Sequence, residues 1–270
     1  MSLPVVPKKS LGQNFLNSKR VVERIGQIVI ENPTDCVLEI GPGLGFLTKQ
    51  LITVTQKLIA VEKDTELFSI LENEFHQEIQ DGKITLFQED ILKFDPQIIK
   101  KFGLDYQIAA NIPYNITGLI FRKFLSDSFP PKHMTVLIQK EVATRILAKD
   151  KKESLLSLSI KAYGNPKLIT HVSRGNFTPP PNVDSSIISI FDISRKNFIN
   201  QTHEEYFFIL IHAGFAHKRK LLIKNLVDEN IQTRDFWEQA FEKENILHTI
   251  RAEDLNLEQW LNLATYLLKK

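Results

Sequence analysis

Cysteine is nearly absent from this chain: Cys36 stands alone among 270 residues, which excludes a disulfide framework and a cysteine-rich metal site. It sits in the apolar run from Asp35 to Ile40, where it reads as a small buried hydrophobe. Long hydrophobic runs are missing too. The longest, Tyr206 to Ala216, falls far short of the roughly 20 residues of a membrane-spanning helix and reads as a buried helix. Residues Met1 to Phe15 hold no apolar core of the kind a secretory signal carries, so a soluble, cytoplasmic protein with no membrane partner is expected. An excess of one charge is also lacking, with 34 basic against 32 acidic residues and a net charge of +2. The distribution says more than the sum. Residues 1–22 carry Lys8, Lys9, Lys19 and Arg20, residues 154–183 carry Lys161, Lys167 and Arg174, and residues 206–227 carry Lys218, Arg219, Lys220 and Lys224, all without an acid. Three such stretches suit either ordinary solvated faces or a one-sided positive surface that meets a phosphate backbone.

What is present is a regular alternation. Short β-branched runs at 35–40, 57–62, 83–88, 106–110 and 134–139 alternate with helical patterns such as 46–54, 65–78 and 118–126. Apolar character along the early strands fits burial on both faces, and repeated strand–helix units of this size predict a doubly wound, mostly parallel α/β sheet. Two later runs, 167–172 and 185–192, lack a helix between them and predict an antiparallel pair at one edge. After Ile193 the pattern is helical, with 194–201 as a linker. The expected division is an α/β domain over 1–195 and a small all-helical domain over 196–270.

The first of these strands runs into Gly41-Pro42-Gly43-Leu44-Gly45 and then a helix. Glycines there let the backbone turn tightly and approach a nucleotide closely. The dinucleotide pattern G-x-G-x-x-G is not met, because Phe46 takes the place of its last glycine. The loop suits a ligand with no phosphate, whose amino-acid portion lies over it. Glu62 closes the second strand, where an acid accepts both ribose hydroxyls. After the third strand, Asp90 is placed to accept an adenine amino group and Ile91 to pack on the ring. Either acid is also compatible with a solvated strand end, and Glu89 competes with Asp90 for the role.

The fourth strand ends in Asn111-Ile112-Pro113-Tyr114. An aromatic amine shares its lone pair with its ring and is a poor nucleophile. Acceptors that pull its hydrogens out of plane localise that pair toward an electrophile. The Asn111 side-chain carbonyl and the Ile112 backbone carbonyl suit this task, with Pro113 fixing the turn and Tyr114 stacking on an extruded base. Neither a metal nor a strong base is required when the leaving group is a sulfonium. Alone, the tetrapeptide would be a plain Asn-x-Pro turn; at a strand end beside a nucleotide loop, the functional reading is preferred. Phe177, in a loop stiffened by Pro179-Pro180-Pro181, either closes the other face of the base or plugs the loop.

With these residues in view, the sequence resembles the small-subunit ribosomal RNA adenine dimethyltransferases, the KsgA family. The resemblance rests on Lys9 to Leu16, Glu39 to Gly45, Glu62-Lys63-Asp64, Asn111 to Asn115, Gln139 to Val142, Phe177 to Ser185 and Phe215 to Lys220. It implies S-adenosyl-L-methionine as methyl donor and dimethylation of two adjacent adenosines in a hairpin loop, during assembly of the small ribosomal subunit. It further implies cofactor contacts from Asn14 and Leu16 in an N-terminal arm. Gly41, Gly43, Glu62, Lys63, Asp90, Ile91 and Asn111 complete the expected cofactor set. A basic Lys218-Arg219-Lys220 helix, with Lys224 and the C-terminal domain, would meet RNA in an immature subunit, the protein acting as a monomer. Ile112 departs from a common leucine but would act through its carbonyl. Lys218 replaces a common arginine and loses planar two-point phosphate contacts.

The nearest rival is the Erm-type enzyme, which dimethylates large-subunit ribosomal RNA; Leu11-Gly12 and Val183-Asp184-Ser185 favour the small-subunit family. A non-catalytic RNA-binding protein on the same fold is opposed by the intact glycine loop and Asn111–Tyr114. A nicotinamide oxidoreductase is opposed by the glycine spacing.

Overall fold

Strands with both faces buried organise the larger of two units in the computed structural model, which describes residues 5–8 and 12–269. Lys9, Ser10 and Leu11 of the first matching stretch lie outside the described residues. In chain order the elements of this unit begin with β1 (Phe15–Leu16) and α1 (Lys19–Glu31). There follow β2 (Cys36–Ile40), α2 (Phe46–Val54), β3 (Lys57–Glu62), α3 (Thr65–Glu74), α4 (His76–Gln80), β4 (Ile84–Gln88), α5 (Gln97–Lys101), β5 (Tyr106–Asn111), α6 (Thr117–Leu125) and β6 (Met134–Gln139). After α7 (Lys140–Leu147) and α8 (Leu155–Lys161) the chain returns with β7 (Asn165–Val172), β8 (Phe177–Thr178) and β9 (Ser185–Phe191). Seven strands form one sheet in the order β4-β3-β2-β5-β6-β9-β7. The first five are parallel and β9 runs antiparallel to both β6 and β7. This is the doubly wound sheet with an antiparallel edge that the strand pattern predicts.

Every residue of β2 is buried, Cys36 included, and burial pushes its thiol up to about 12, so it packs as a hydrophobe. The edge strand β7 carries Pro166 and a register shift between Leu168 and Thr170, two features that discourage pairing with a further strand. The helical pattern at 65–78 is in fact two helices: Phe75 breaks it and its buried ring lies against Gly45. α1, which the alternation of strands did not signal, buries Val21, Val22, Ile25, Ile28 and Val29 along one face.

The second compact unit is helical. It comprises 144–164 and 194–270, while residues up to 143 group with 165–193. The segment 144–164 thus joins the helical unit, although it precedes β7 in sequence. Its helices include α9 (Gln201–Gly214), α10 (Leu222–Asp228), α11 (Arg234–Lys243) and α12 (Leu257–Leu268). They enclose Phe207, Leu210, Trp237, Phe241, Trp260 and Leu263, all fully buried. Among the described residues no helix is long and apolar enough to cross a membrane.

Candidate active site

Strand order reverses between β2 and β5: the chain adds β3 and β4 on one side of β2, then β5 and β6 on the other. Loops leaving the carboxyl ends of two strands on either side of a reversal must diverge, which leaves a crevice there. The cleft at this point is lined by residues from the ends of β2, β3, β4 and β5 and by Gly12–Leu16 of the N-terminal arm. It brings together Asn14, Leu16, Gly41, Gly43, Glu62, Lys63, Asp90, Ile91, Asn111, Ile112, Pro113 and Tyr114.

At Gly41 the backbone has φ of 63°, and a Cβ built there meets no atom within 4 Å. Since Gly41 lines the cleft, a side chain would project into the space a ligand needs. Glu62, at the end of β3, is buried; its Oε2 accepts the Gly43 N–H at 3.1 Å and its Oε1 the Asp64 N–H at 2.9 Å. Burial raises its carboxyl above the ordinary value, against these backbone bonds. Asp90 follows β4. Its Oδ2 binds Lys63 Nζ at 2.8 Å and its Oδ1 accepts the Leu92 N–H, and both hold its carboxyl below the usual range. Lys63 is the only cation among the described lining residues and is spoken for by Asp90.

Asn111 ends β5, and its Nδ2 donates to the Asn14 carbonyl at 3.1 Å. That bond fixes which way the amide points, and among the described residues no protein group donates to its Oδ1. Ile112 is 1% exposed and its N–H bonds the Leu137 carbonyl of β6, so the turn is anchored to the sheet. Tyr114 stands in the following turn with its hydroxyl 2.7 Å from Ser185 Oγ at the start of β9. That contact gives the Val183-Asp184-Ser185 stretch a structural task.

Phe177 is a correction. It does not line the cleft and is 2% exposed. β8 pairs with β1, bringing Phe177 opposite Leu16 in the core with Val172 and Ile187. Its hydrophobic area is spent holding the arm to the sheet, so of the two sequence readings the plug is the one this geometry supports. A second correction concerns Lys218, Arg219 and Lys220, which lie in an exposed turn between α9 and α10 and not in a helix. α9 stops at Gly214, where Asn225 Nδ2 donates to the Gly214 and His217 carbonyls. Lys224 is exposed on α10.

Pairing also thins the basic stretches. Lys8 is bound to Asp64, Lys19 to Glu23, Lys161 to Glu153 and Lys220 to Asp228. The acids come from outside the acid-free segments, which is why a linear charge count does not register them.

Glu39 lies in β2, 1% exposed, and lines the cleft with its carboxyl bonded to Thr48 Oγ1 at 2.8 Å. Burial pushes it up to about 8, with Glu62 adding to the effect and the Thr48 bond opposing it. Its signal was a single acid inside an otherwise apolar strand. Gln13, which lines the cleft and ties the arm to Asp64 at the start of α3, was also missed; only its place in a matching stretch marked it.

Carboxylates at strand ends, an amide and a glycine cradle, with no free cation among the described lining residues to meet a phosphate, form a donor–acceptor set for a nucleoside carrying an amino-acid arm. S-adenosyl-L-methionine fits that set. Known proteins give an independent line. The family model for ribosomal RNA adenine dimethylase matches residues 6–269. The Ribosomal RNA small subunit methyltransferase A of Dehalococcoides mccartyi is 39% identical over 257 residues, covering 95% of this chain and 87% of the relative. A dimethyladenosine transferase structure from Plasmodium falciparum superposes with a TM-score of 0.76 at 23% identity, covering 92% of this chain and 95% of that one. The 23S rRNA methyltransferase ErmE superposes with a TM-score of 0.74 at 22% identity, covering 94% and 99%. Those two likenesses speak for the fold alone, whereas the family match spans nearly the whole sequence. The chain belongs to the ribosomal RNA adenine dimethylase family.

Proposed function

We propose that the protein transfers methyl groups from S-adenosyl-L-methionine to the exocyclic amines of two adjacent adenosines in a hairpin loop of small-subunit ribosomal RNA. The substrate would be an immature small subunit in the cytoplasm, and the protein would act as a monomer. The observation that carries this reading is Asn111-Ile112-Pro113-Tyr114 opening into the same cleft as the glycine loop. Family membership supports it, and the relatives named for the small subunit favour it over the large-subunit alternative.

When bound, the donor would supply an electrophilic methyl on a sulfonium sulfur, which leaves as a neutral thioether without acid assistance, while each transfer releases one amine proton to water. The protein's part is positioning and polarisation. Gly41 and Gly43 would carry the amino-acid arm, with Asn14 and Leu16 closing from the N-terminal side. Glu62 would accept the ribose hydroxyls, and Asp90 the adenine amine, with Lys63 bound to its other side and Ile91 packed on the ring. Asn111 Oδ1 would accept one hydrogen of the target amine and the Ile112 carbonyl the other, turning the lone pair toward the methyl. Tyr114 would stack on the extruded base, its ring held by Ser185. Lys218, Arg219 and Lys224, exposed in the helical unit, would meet RNA phosphates.

The test offers radiolabelled donor to immature small subunits and, separately, to naked large-subunit RNA, followed by mass mapping of modified adenosines. Dimethyladenosine in the small-subunit RNA alone is expected; modification of the large-subunit RNA alone overturns the reading. Asn111→Ala should lower transfer by roughly 100-fold or more, as removal of an aligned polar group at a reacting centre does. Undiminished transfer by that variant would sink the proposed polarisation.

A further inference from the structure

Asp64 sits at the start of α3, outside the cleft lining, and has a side chain only 2% exposed. Capping the helix requires one bond, from the Glu66 N–H to Oδ1 at 3.0 Å. Asp64 has two more partners, and both come from the N-terminal arm. Lys8 Nζ donates to it at 2.8 Å and Gln13 Nε2 at 3.0 Å, from 56 and 51 positions upstream. Burial alone would raise the Asp64 carboxyl, but these donors outweigh it and hold it below the ordinary value. The Asp64 N–H in turn donates to Glu62 Oε1, and Glu62 Oε2 takes the N–H of Gly43. On the arm side, Gln13 precedes Asn14, whose carbonyl accepts the Asn111 amide and whose Nδ2 closes on the Gly12 carbonyl. Phe15, next along the arm, has its ring 3.2 Å from where a Gly43 Cβ would stand.

We propose that Asp64 is a positioning residue that latches Lys8 and the arm residues Gly12–Leu16 to the glycine loop. It thereby orients Glu62 on one side and the Asn111 amide on the other. The functional meaning of those two orientations rests on the methyl-transfer reading above; the latch itself does not. Among the described residues, this one buried carboxylate alone is bonded both to the arm and, through its own backbone, to Glu62. If the arm lifts, Asn111 loses the acceptor that fixes its amide and Gly43 loses the ring lying on it.

The test exploits a swap. Gln13→Glu sets two carboxylates against each other, and Gln13→Glu combined with Asp64→Asn restores one donor facing one acceptor. Asn caps helices as well as Asp, so α3 keeps its cap throughout. Lys8→Met weakens the latch from a residue that does not line the cleft. Three measurements are made on the full chain: amide exchange over 12–16 and at Gly43 without any donor, binding of S-adenosyl-L-methionine (Kd), and steady-state kinetics (kcat and KM) on immature small subunits. Gln13→Glu should speed arm exchange and weaken donor binding by about tenfold each, the size expected for one charged hydrogen bond lost in a part-buried site. Lys8→Met should move the same readouts in the same direction, and the double variant should return within about threefold of wild type. Unchanged exchange and Kd in Gln13→Glu, or a double variant no better than the single, would overturn the latch. A wild type inert toward small subunits, but showing the exchange response and its rescue, would support the latch and remove the methyl-transfer reading.

Discussion

Glu39 shows what a single buried group does to the whole. A carboxylate without water is costly, so the folded state keeps its proton until about pH 8, against 4.5 for a free side chain. The folded protein therefore binds more protons than the unfolded chain between those values. Stability from this group is undiminished below about pH 4.5 and falls as the pH climbs toward 8. Glu39→Gln should remove that dependence. The melting-temperature difference between variant and wild type, measured without ligand, should grow steadily in favour of the variant from pH 5 to pH 8.5. A constant difference would mean that the carboxyl is ionised throughout. Asn111 presents the complementary case, an uncharged group with a fixed direction: the Asn14 carbonyl accepts one N–H, and among the described residues no protein group donates to Oδ1.

At the scale of elements, the glycine loop and the helix break at Phe75 pack against each other. Gly45 precedes α2 with φ of 76°, and a Cβ there would stand 2.7 Å from Phe75 Cε2 and 3.0 Å from Cζ. Phe75 is the residue that divides α3 from α4, so loop and helix break are one packing unit. Gly45→Ala combines a left-handed backbone cost of about 1–2 kcal/mol with overpacking of about 1–3 kcal/mol. A fall in melting temperature of several degrees is expected. Adding Phe75→Leu should recover the steric share and leave the backbone share, which thermal unfolding of wild type and both variants would resolve. No difference between Gly45→Ala and wild type would contradict both shares. The same loop, strand and helix sequence was legible from local pattern, since glycine spacing and apolar runs are properties of neighbours in the chain. The division of 65–78 at Phe75 was not legible, because the buried ring at the break packs against Gly45, far upstream in the chain.

Across the whole molecule, charge is governed by pairing as much as by number. Lys161 belongs to a basic stretch but is largely buried against Glu153, whereas Lys218 and Arg219 are exposed and form no ion pair among the described residues. RNA affinity should fall linearly on a log–log plot against salt, and Lys218→Ala and Arg219→Ala should each flatten that slope by roughly 0.7–0.9. Lys161→Ala should leave the slope unchanged while lowering stability. Equal slopes for all three variants would remove the turn from the RNA interface. What sequence determined by itself was the α/β alternation, the antiparallel edge, the glycine loop and the acids and amide at successive strand ends. Each of these follows from residue type and short-range spacing. Tertiary structure decided that Phe177 is core, that 144–164 joins the helical unit, that Glu39 holds a proton and that Lys8 and Gln13 meet at Asp64. Burial and ion pairing depend on which distant residues fold against one another, and no local pattern carries that information.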